Sequence, residues 1–136
     1  MTFLIDTNVA SELGRPRPNA NVVAWSQSIA VDAQYLSVLT LGELTRGAVR
    51  LAHRDKNRSE ALQRWVHGLR DSYGDRILGI NDEIAEQWGR LDAKRSLPVV
   101  DGLLAATAIV RGMTLVTRNV RDVADTGVAI LNPWEG

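Results

Sequence analysis

Three acids in this chain stand in the same kind of place. Asp6 closes the apolar run Phe3-Leu4-Ile5, Glu43 lies in the first turns of a helical pattern that follows Gln34-Tyr35-Leu36-Ser37-Val38, and Asp101 opens an alanine-rich stretch. Asp122, beyond Thr114-Leu115-Val116-Thr117, can join them. Carboxylates that converge repel one another: at an effective dielectric of about 20, two of them about 4 Å apart cost about 4 kcal/mol. Several such terms would rival the stability of a small domain. Protonating one acid or placing a divalent cation among them removes the cost. An oxygen-only set, in a chain without cysteine and with no histidine near the acids, suits Mg²⁺ or Mn²⁺ and disfavours zinc. A cation held this way lowers the pKa of bound water and sets the hydroxide in line with a scissile phosphate, so phosphodiester hydrolysis is the reaction such a site supports well. Thr7, Asn8, Thr117 and Asn119 flank the acids and are candidates to orient carboxylates or bound waters. At Asp6 and Asn8 a plainer role competes, the capping of the next helix.

Acids so far apart in sequence need a scaffold that gathers them. Residues 3–5 have the length and residue types of a buried strand, and a short helix is expected over 9–13. Gly14, Pro16 and Pro18 make a loop, after which Asn19 or Asn21 caps an amphipathic helix carrying Val22, Val23, Trp25 and Ile29. A second strand over 34–38 leads into a longer helix, its start bracketed by Ser37 and Thr40. There Leu41, Leu44, Ala48, Leu51 and Ala52 recur at three- and four-residue spacing and predict the buried stripe. Glu43 lies off that stripe, on a face that continues through Arg46, Arg50 and Arg54. A helix over 60–69 follows, then a strand over 76–80, and Asn81 caps a helix buried through Ile84, Trp88 and Leu91. The small residues after Asp101 allow close approach of neighbours, which makes their helix a central one; Gly112 ends it. Strands over 114–117 and 128–131 complete the pattern. Strands alternating with helices predict an α/β fold whose mainly parallel sheet is covered on both faces. In such sheets ligands bind beyond the carboxyl ends of the strands, where Asp6 stands.

With 136 residues the chain is expected to form one domain, and its sixteen basic and sixteen acidic residues cancel. Global charge therefore argues for neither a nucleic-acid nor a membrane partner. Locally the balance differs. Between Arg46 and Arg70, six arginines and Lys56 face only Asp55 and Glu60, an excess of five positive charges. Arg46, Arg50 and Arg54 are accordingly candidate phosphate contacts, against the alternative of a solvated helix pair whose arginines cover apolar neighbours. His53 and His67 fall in the same helices, where a surface or packing role is expected rather than ligation. No apolar run approaches the roughly 20 residues of a membrane span, and no secretion signal opens the chain, so a soluble cytoplasmic protein is expected.

Taken together, Leu4-Ile5-Asp6-Thr7-Asn8-Val9, Leu41-Gly42-Glu43-Leu44 with Gly47, Asp101-Gly102-Leu103-Leu104-Ala105-Ala106-Thr107-Ala108 and Thr117-Arg118-Asn119-Val120-Arg121-Asp122 resemble the PIN-domain ribonucleases, in particular the VapC toxins of toxin–antitoxin pairs. The Arg15-Pro16-Arg17-Pro18-Asn19 loop and the closing Asn132-Pro133-Trp134 resemble the subgroup that includes the FitB proteins. The resemblance implies a three-layer α/β/α domain over residues 1–136 with a central sheet of four to five strands. It also implies a metal-dependent endoribonuclease with Asp6, Glu43 and Asp101 as its principal metal-binding acids and Mg²⁺, or Mn²⁺, as cofactor. Asn119 stands where many members carry aspartate, and Asp122 three residues on, where many relatives also have an acid; both are candidates for the fourth site position. RNA as substrate, a homodimer and inhibition by a VapB-like antitoxin whose C-terminal segment enters the crevice are implied as well.

Two other functions compete. A phosphatase using Asp6 as nucleophile usually wants a second aspartate two residues on and a lysine near the phosphate, whereas Asn8 stands there and Lys56 and Lys94 are the only lysines. A catalytically weak or inactive module, binding RNA or an antitoxin without cleavage, is the reading that Asn119 favours.

Overall fold

Apolar residues on both sides of a strand force it between two helical layers. A computed structural model describes residues 1–136 and contains β1 (Phe3–Ile5), β2 (Gln34–Ser37), β3 (Ile77–Leu78), β4 (Thr114–Val116) and β5 (Ile130–Leu131). All pair in parallel in the order β3-β2-β1-β4-β5. The helices are α1 (Thr7–Leu13), α2 (Ala20–Ser28), α3 (Val38–Leu51), α4 (Lys56–Tyr73), α5 (Asp82–Lys94), α6 (Val99–Arg111) and α7 (Val120–Val123). Phe3 and Ile5 point to one face and pack with Val9, Ala10, Val22, Leu36 and Val116, so α1, α2 and α3 cover that side. Leu4 points the other way, into a core built with Ile84, Leu104, Ala105, Ala108 and Leu115 under α5 and α6. The two cores meet only through the sheet, which gives the expected three-layer α/β/α arrangement with five strands.

Local hydrogen bonds set boundaries that periodicity alone misplaces. Helix α1 begins at Thr7 rather than 9, because the Asp6 carboxylate accepts from the Thr7 N–H. Strand β2 stops at Ser37, whose hydroxyl accepts from the Leu39 N–H at 3.1 Å and caps α3. Helix α4 starts at Lys56, four residues before the expected 60, since Asp55 accepts from the Arg58 N–H at 3.0 Å. Helix α6 starts at Val99, placing Asp101 in its first turn, and ends at Gly112 with φ +67°, a conformation that suits glycine. Strands β3, β4 and β5 are shorter than the spans 76–80, 114–117 and 128–131. At the first of these, Arg76 is taken up in a tight turn and donates to the carbonyls of Val31 and Gln34 at 2.7 and 2.6 Å. The predicted stripe of α3 is only partly covered. Ala48 and Thr40 are buried, Leu41, Leu44 and Leu51 are half-buried, and Ala52 is exposed. The reason is a groove of about 340 Å³ between α1 and the α3–α4 hairpin, walled by Leu44, Leu51, Leu62 and Trp65, which nothing in the chain fills.

Candidate active site

The order of the strands decides where a site can form. β1 is central, with β2 on one side and β4 on the other, so the chain diverges at the carboxyl ends of β1 and β4 and leaves a crevice there. Asp6 and Thr117 are the first residues past these two strands. Both remain tied into the ladder: the Asp6 N–H donates to the Val116 carbonyl at 2.9 Å and the Thr117 N–H to the Leu131 carbonyl at 3.0 Å. Asp6 keeps an extended backbone (φ −69°, ψ 157°), so the alternation of the strand continues and turns its side chain toward the α6 face. There Asp6, Asp101, Thr117 and Asn119 line one small cleft floored by Leu104, Leu115 and Val123.

Asp6 is almost fully buried and both its oxygens are held. One accepts from the Thr7 N–H at 2.7 Å and the other from the Thr117 hydroxyl at 2.6 Å. The Thr117 oxygen in turn accepts from the Asn119 N–H at 3.0 Å and the Asn8 amide at 3.5 Å, so two backbone turns hold one hydroxyl against one acid. Burial raises the pKa of Asp6, the bonds from Thr117 and Thr7 work against the rise, and the charge of Glu43 adds to it. Capping and site placement are therefore compatible at Asp6. Across the crevice Glu43, half-buried on α3, accepts from the Thr7 hydroxyl at 2.5 Å and lies 3.8 Å from the Arg46 guanidinium. The hydroxyl of Thr40, buried beneath, lies 3.2 Å from the same Thr7 oxygen. Asp101 carries the largest perturbation among the acids of the crevice. Partial burial, then the charges of Asp6, Asp122 and Glu43, push its carboxyl up to about 6.

These contacts place most of the sequence-predicted residues in one region. Asp6, Glu43 and Asp101 act on one another electrostatically, and Thr7, Asn8 and Thr117 hold the acids or each other. Asn119 lines the cleft itself, whereas Asp122 stands on α7 outside its wall, within electrostatic reach of Asp101. Arg46 lies at the crevice; Arg50 continues outward along α3 and Arg54 follows in the turn after it, both exposed and in no ion pair. His53 and His67 are exposed, as expected.

Three supporting residues escaped the sequence reading. Arg95 donates to the Asp122 carbonyl at 2.7 Å and grips Asp125 through two bonds of 2.8 and 2.7 Å, fixing α7 beside the crevice. Trp88 packs on Gly102 so closely that a Cβ there would lie 3.0 Å from its indole, which sets the height of α6 and hence of Asp101. Arg118 is the third. A glycine directly after an acid in a helix's first turn was a readable signal for the second; ion pairs and stacks between chain-distant residues leave none.

In the arrangement of the free chain, no three of its acids and histidines approach closely enough to clasp an ion. The donor set nonetheless fits a hard divalent cation: it is made of oxygens, is partly dehydrated, and repels itself strongly enough to disturb Asp101.

Residues 3–127 match the family model described as PIN domain, and the chain belongs to the PIN-domain family. It is 33% identical to Toxin FitB of Neisseria gonorrhoeae over 137 residues, covering 97% of this chain and 98% of that protein. It is also 31% identical to the VapC ribonuclease Y4jK of Sinorhizobium fredii, with 98% of each covered. The crystal structure of FitAcB from Neisseria gonorrhoeae superposes with a TM-score of 0.90 at 30% identity, covering 99% of this chain and 100% of that one.

Proposed function

We propose that this chain is a metal-dependent endoribonuclease and the toxin of a toxin–antitoxin pair, with Asp6, Glu43 and Asp101 as the acids that hold the cation. One observation carries the proposal: chain-distant acids meet at the carboxyl ends of β1 and β4, where burial and then the charges of Asp6, Asp122 and Glu43 push Asp101 up to about 6. A phosphatase with Asp6 as nucleophile fits poorly, since both Asp6 oxygens are engaged by Thr7 and Thr117 and neither lysine lines the cleft. The relative from Sinorhizobium fredii is named a ribonuclease and that from Neisseria gonorrhoeae a toxin, and both match this chain nearly end to end.

Bound among these acids, Mg²⁺ or Mn²⁺ would lower the pKa of an attacking water and steady charge on the phosphate oxygens. The chain's own residues do the rest. Thr117 and Thr7 aim Asp6 into the cleft and oppose the effect of its burial, because the bonds they donate favour the charged carboxylate. The first turn of α6 offers Asp101 the positive end of a helix dipole. Asn119 gives the cleft a neutral ligand and leaves the fourth negative charge to Asp122 on α7. Arg46 holds Glu43 loosely at 3.8 Å and is free to turn to an incoming phosphate, with Arg50 on α3 and Arg54 in the turn after it following the RNA backbone. A VapB-like antitoxin whose C-terminal segment enters the crevice would shield the acids. The groove from Glu43 to Trp65 would lengthen its contact. The active unit in this reading is a homodimer working in the cytoplasm; no helix is long and apolar enough to cross a membrane.

The test is incubation of the purified, antitoxin-free protein with total cellular RNA and Mg²⁺ or Mn²⁺, followed by mapping of new RNA ends. Discrete cuts that vanish with EDTA and in Asp101→Asn are the expected result. RNA binding without any cleavage would favour the non-catalytic module that Asn119 leaves open.

A further inference from the structure

The crevice has a neighbouring depression on the β4–α7 side. Asn119 lines both the cleft of Asp6 and Asp101 and an adjoining surface depression of about 430 Å³, whose other walls are Arg118, Val120, Arg121, Asp122, Asn132 and Glu135. The two spaces therefore adjoin at one residue. Arg118 stands directly after Thr117, the residue that holds Asp6, and its backbone N–H donates to the Asn8 side chain at 3.3 Å. Its position is thus fixed from the same pair of turns that fixes the acid.

The guanidinium of Arg118 is fixed too, though not by an acid. It lies over the ring of Trp134, 4.8 Å from the centroid, and takes part in no ion pair. Trp134 is itself anchored: its backbone N–H donates to the Asn132 side chain at 3.0 Å, its carbonyl accepts from the Asn21 amide at 2.8 Å, and its ring packs against the β1 core. A guanidinium stacked on an indole keeps all its N–H edges outward while losing little rotamer entropy on binding. Such a cation, half-oriented and unpaired beside a cluster of acids, matches a phosphate of a strand already held at those acids. Asp122 and Glu135 line the same depression, so the patch is zwitterionic and attracts no polyanion by bulk charge. Only a strand delivered in register by the crevice gains from Arg118.

We infer that Arg118, stacked on Trp134, contacts a backbone phosphate of the RNA on the β4–α7 side of the scissile bond, opposite the α3 arginines. This assignment rests on the ribonuclease function proposed above. It makes RNA cross the crevice from Arg46 to Arg118 rather than end at the acids, and it gives the closing Asn132-Pro133-Trp134 turn a task in substrate positioning.

The experiment uses the non-cleaving Asp101→Asn protein and a short fluorescein-labelled single-stranded RNA, with Mg²⁺ present, over a range of salt. Adding Arg118→Ala should weaken binding roughly tenfold at low salt, as loss of one charge-assisted contact does. The slope of log affinity against log salt should also fall by about 0.7, the loss of one phosphate contact on a single strand. Arg118→Lys should restore the slope but only part of the affinity, and thermal unfolding should match the parent in both, which separates the role from a structural one. Equal affinity and slope for Arg118→Ala and its parent would overturn the assignment alone. A parent that binds no RNA, with wild type that cuts none, would overturn the ribonuclease function and this assignment with it.

Discussion

The two sides of the crevice are built differently. On the β1–β4 side, Asp6 is buried and bonded at both oxygens by residues 1 and 111 positions away in sequence, within a ladder that extends past the strand ends. On the α3–α4 side, Glu43 hangs from one threonine hydroxyl and one loose arginine, beside a groove the chain leaves unfilled. Rigidity is concentrated where charge must be held against repulsion. The hairpin side keeps open surface and exposed arginines, which suits the capture of a long polyanion and of a covering partner. In the proposed reading the firmly held wall carries two of the three cation-holding acids, and the open wall carries Glu43 with the α3 arginines.

If the sheet side carries the chemistry, damage there should be the most severe. Asp6→Asn and Asp101→Asn should each lower RNA cleavage on the order of a thousandfold, measured by single-turnover end mapping, with the fold intact by circular dichroism. Thr117→Val removes the hydroxyl that orients Asp6 and should cost about 10- to 100-fold, with Thr117→Ser recovering most of it. A loss as large from Thr40→Val, which lies under the hairpin side, would erase the contrast between the walls.

Packing offers a second comparison, through two glycines. A methyl at Gly102 meets Trp88 at 3.0 Å, whereas one at Gly47, on the groove, meets nothing within 4 Å. Gly102→Ala should destabilise by roughly 1–3 kcal/mol in denaturant unfolding and displace Asp101. Gly47→Ala should be neutral or stabilise by up to about 1 kcal/mol, since alanine is the better helix former. The smallest effect expected is in pH dependence. Asp101 binds its proton more tightly folded than unfolded, so between its ordinary 3.8 and about 6 the folded state carries the extra proton and stability falls as pH rises. The drop should be on the order of 1 kcal/mol after allowance for solvent screening, should be complete above about pH 6, and should flatten in Asp101→Asn. A metal-free preparation is needed for that titration.

The contrast also marks what a linear sequence reveals. Phe3-Leu4-Ile5 running into Asp6, and small residues following Asp101, are local patterns, and they sufficed to place two acids at strand and helix ends. The covering of α3 was not legible in this way: its leucines repeat at helical spacing, but whether they are buried depends on α1 and α4, which leave a groove. Asn119 and Asp122 could not be ranked from spacing, because a single turn of α7 separates them and only Arg95, far off in sequence, fixes how that turn sits. The stack of Arg118 on Trp134 is of the same kind, visible only once β4 and the closing turn are neighbours.

The most direct test of the central claim is a calorimetric titration of Mn²⁺ into the RNA-free protein at about pH 8, well above the raised carboxyl of Asp101. Saturable binding that is lost in both Asp6→Asn and Asp101→Asn, and kept in Arg50→Ala, is the predicted result. Binding that survives in both acid variants would mean that these carboxylates do not act as one cation site, and the proposed chemistry would have to be placed elsewhere.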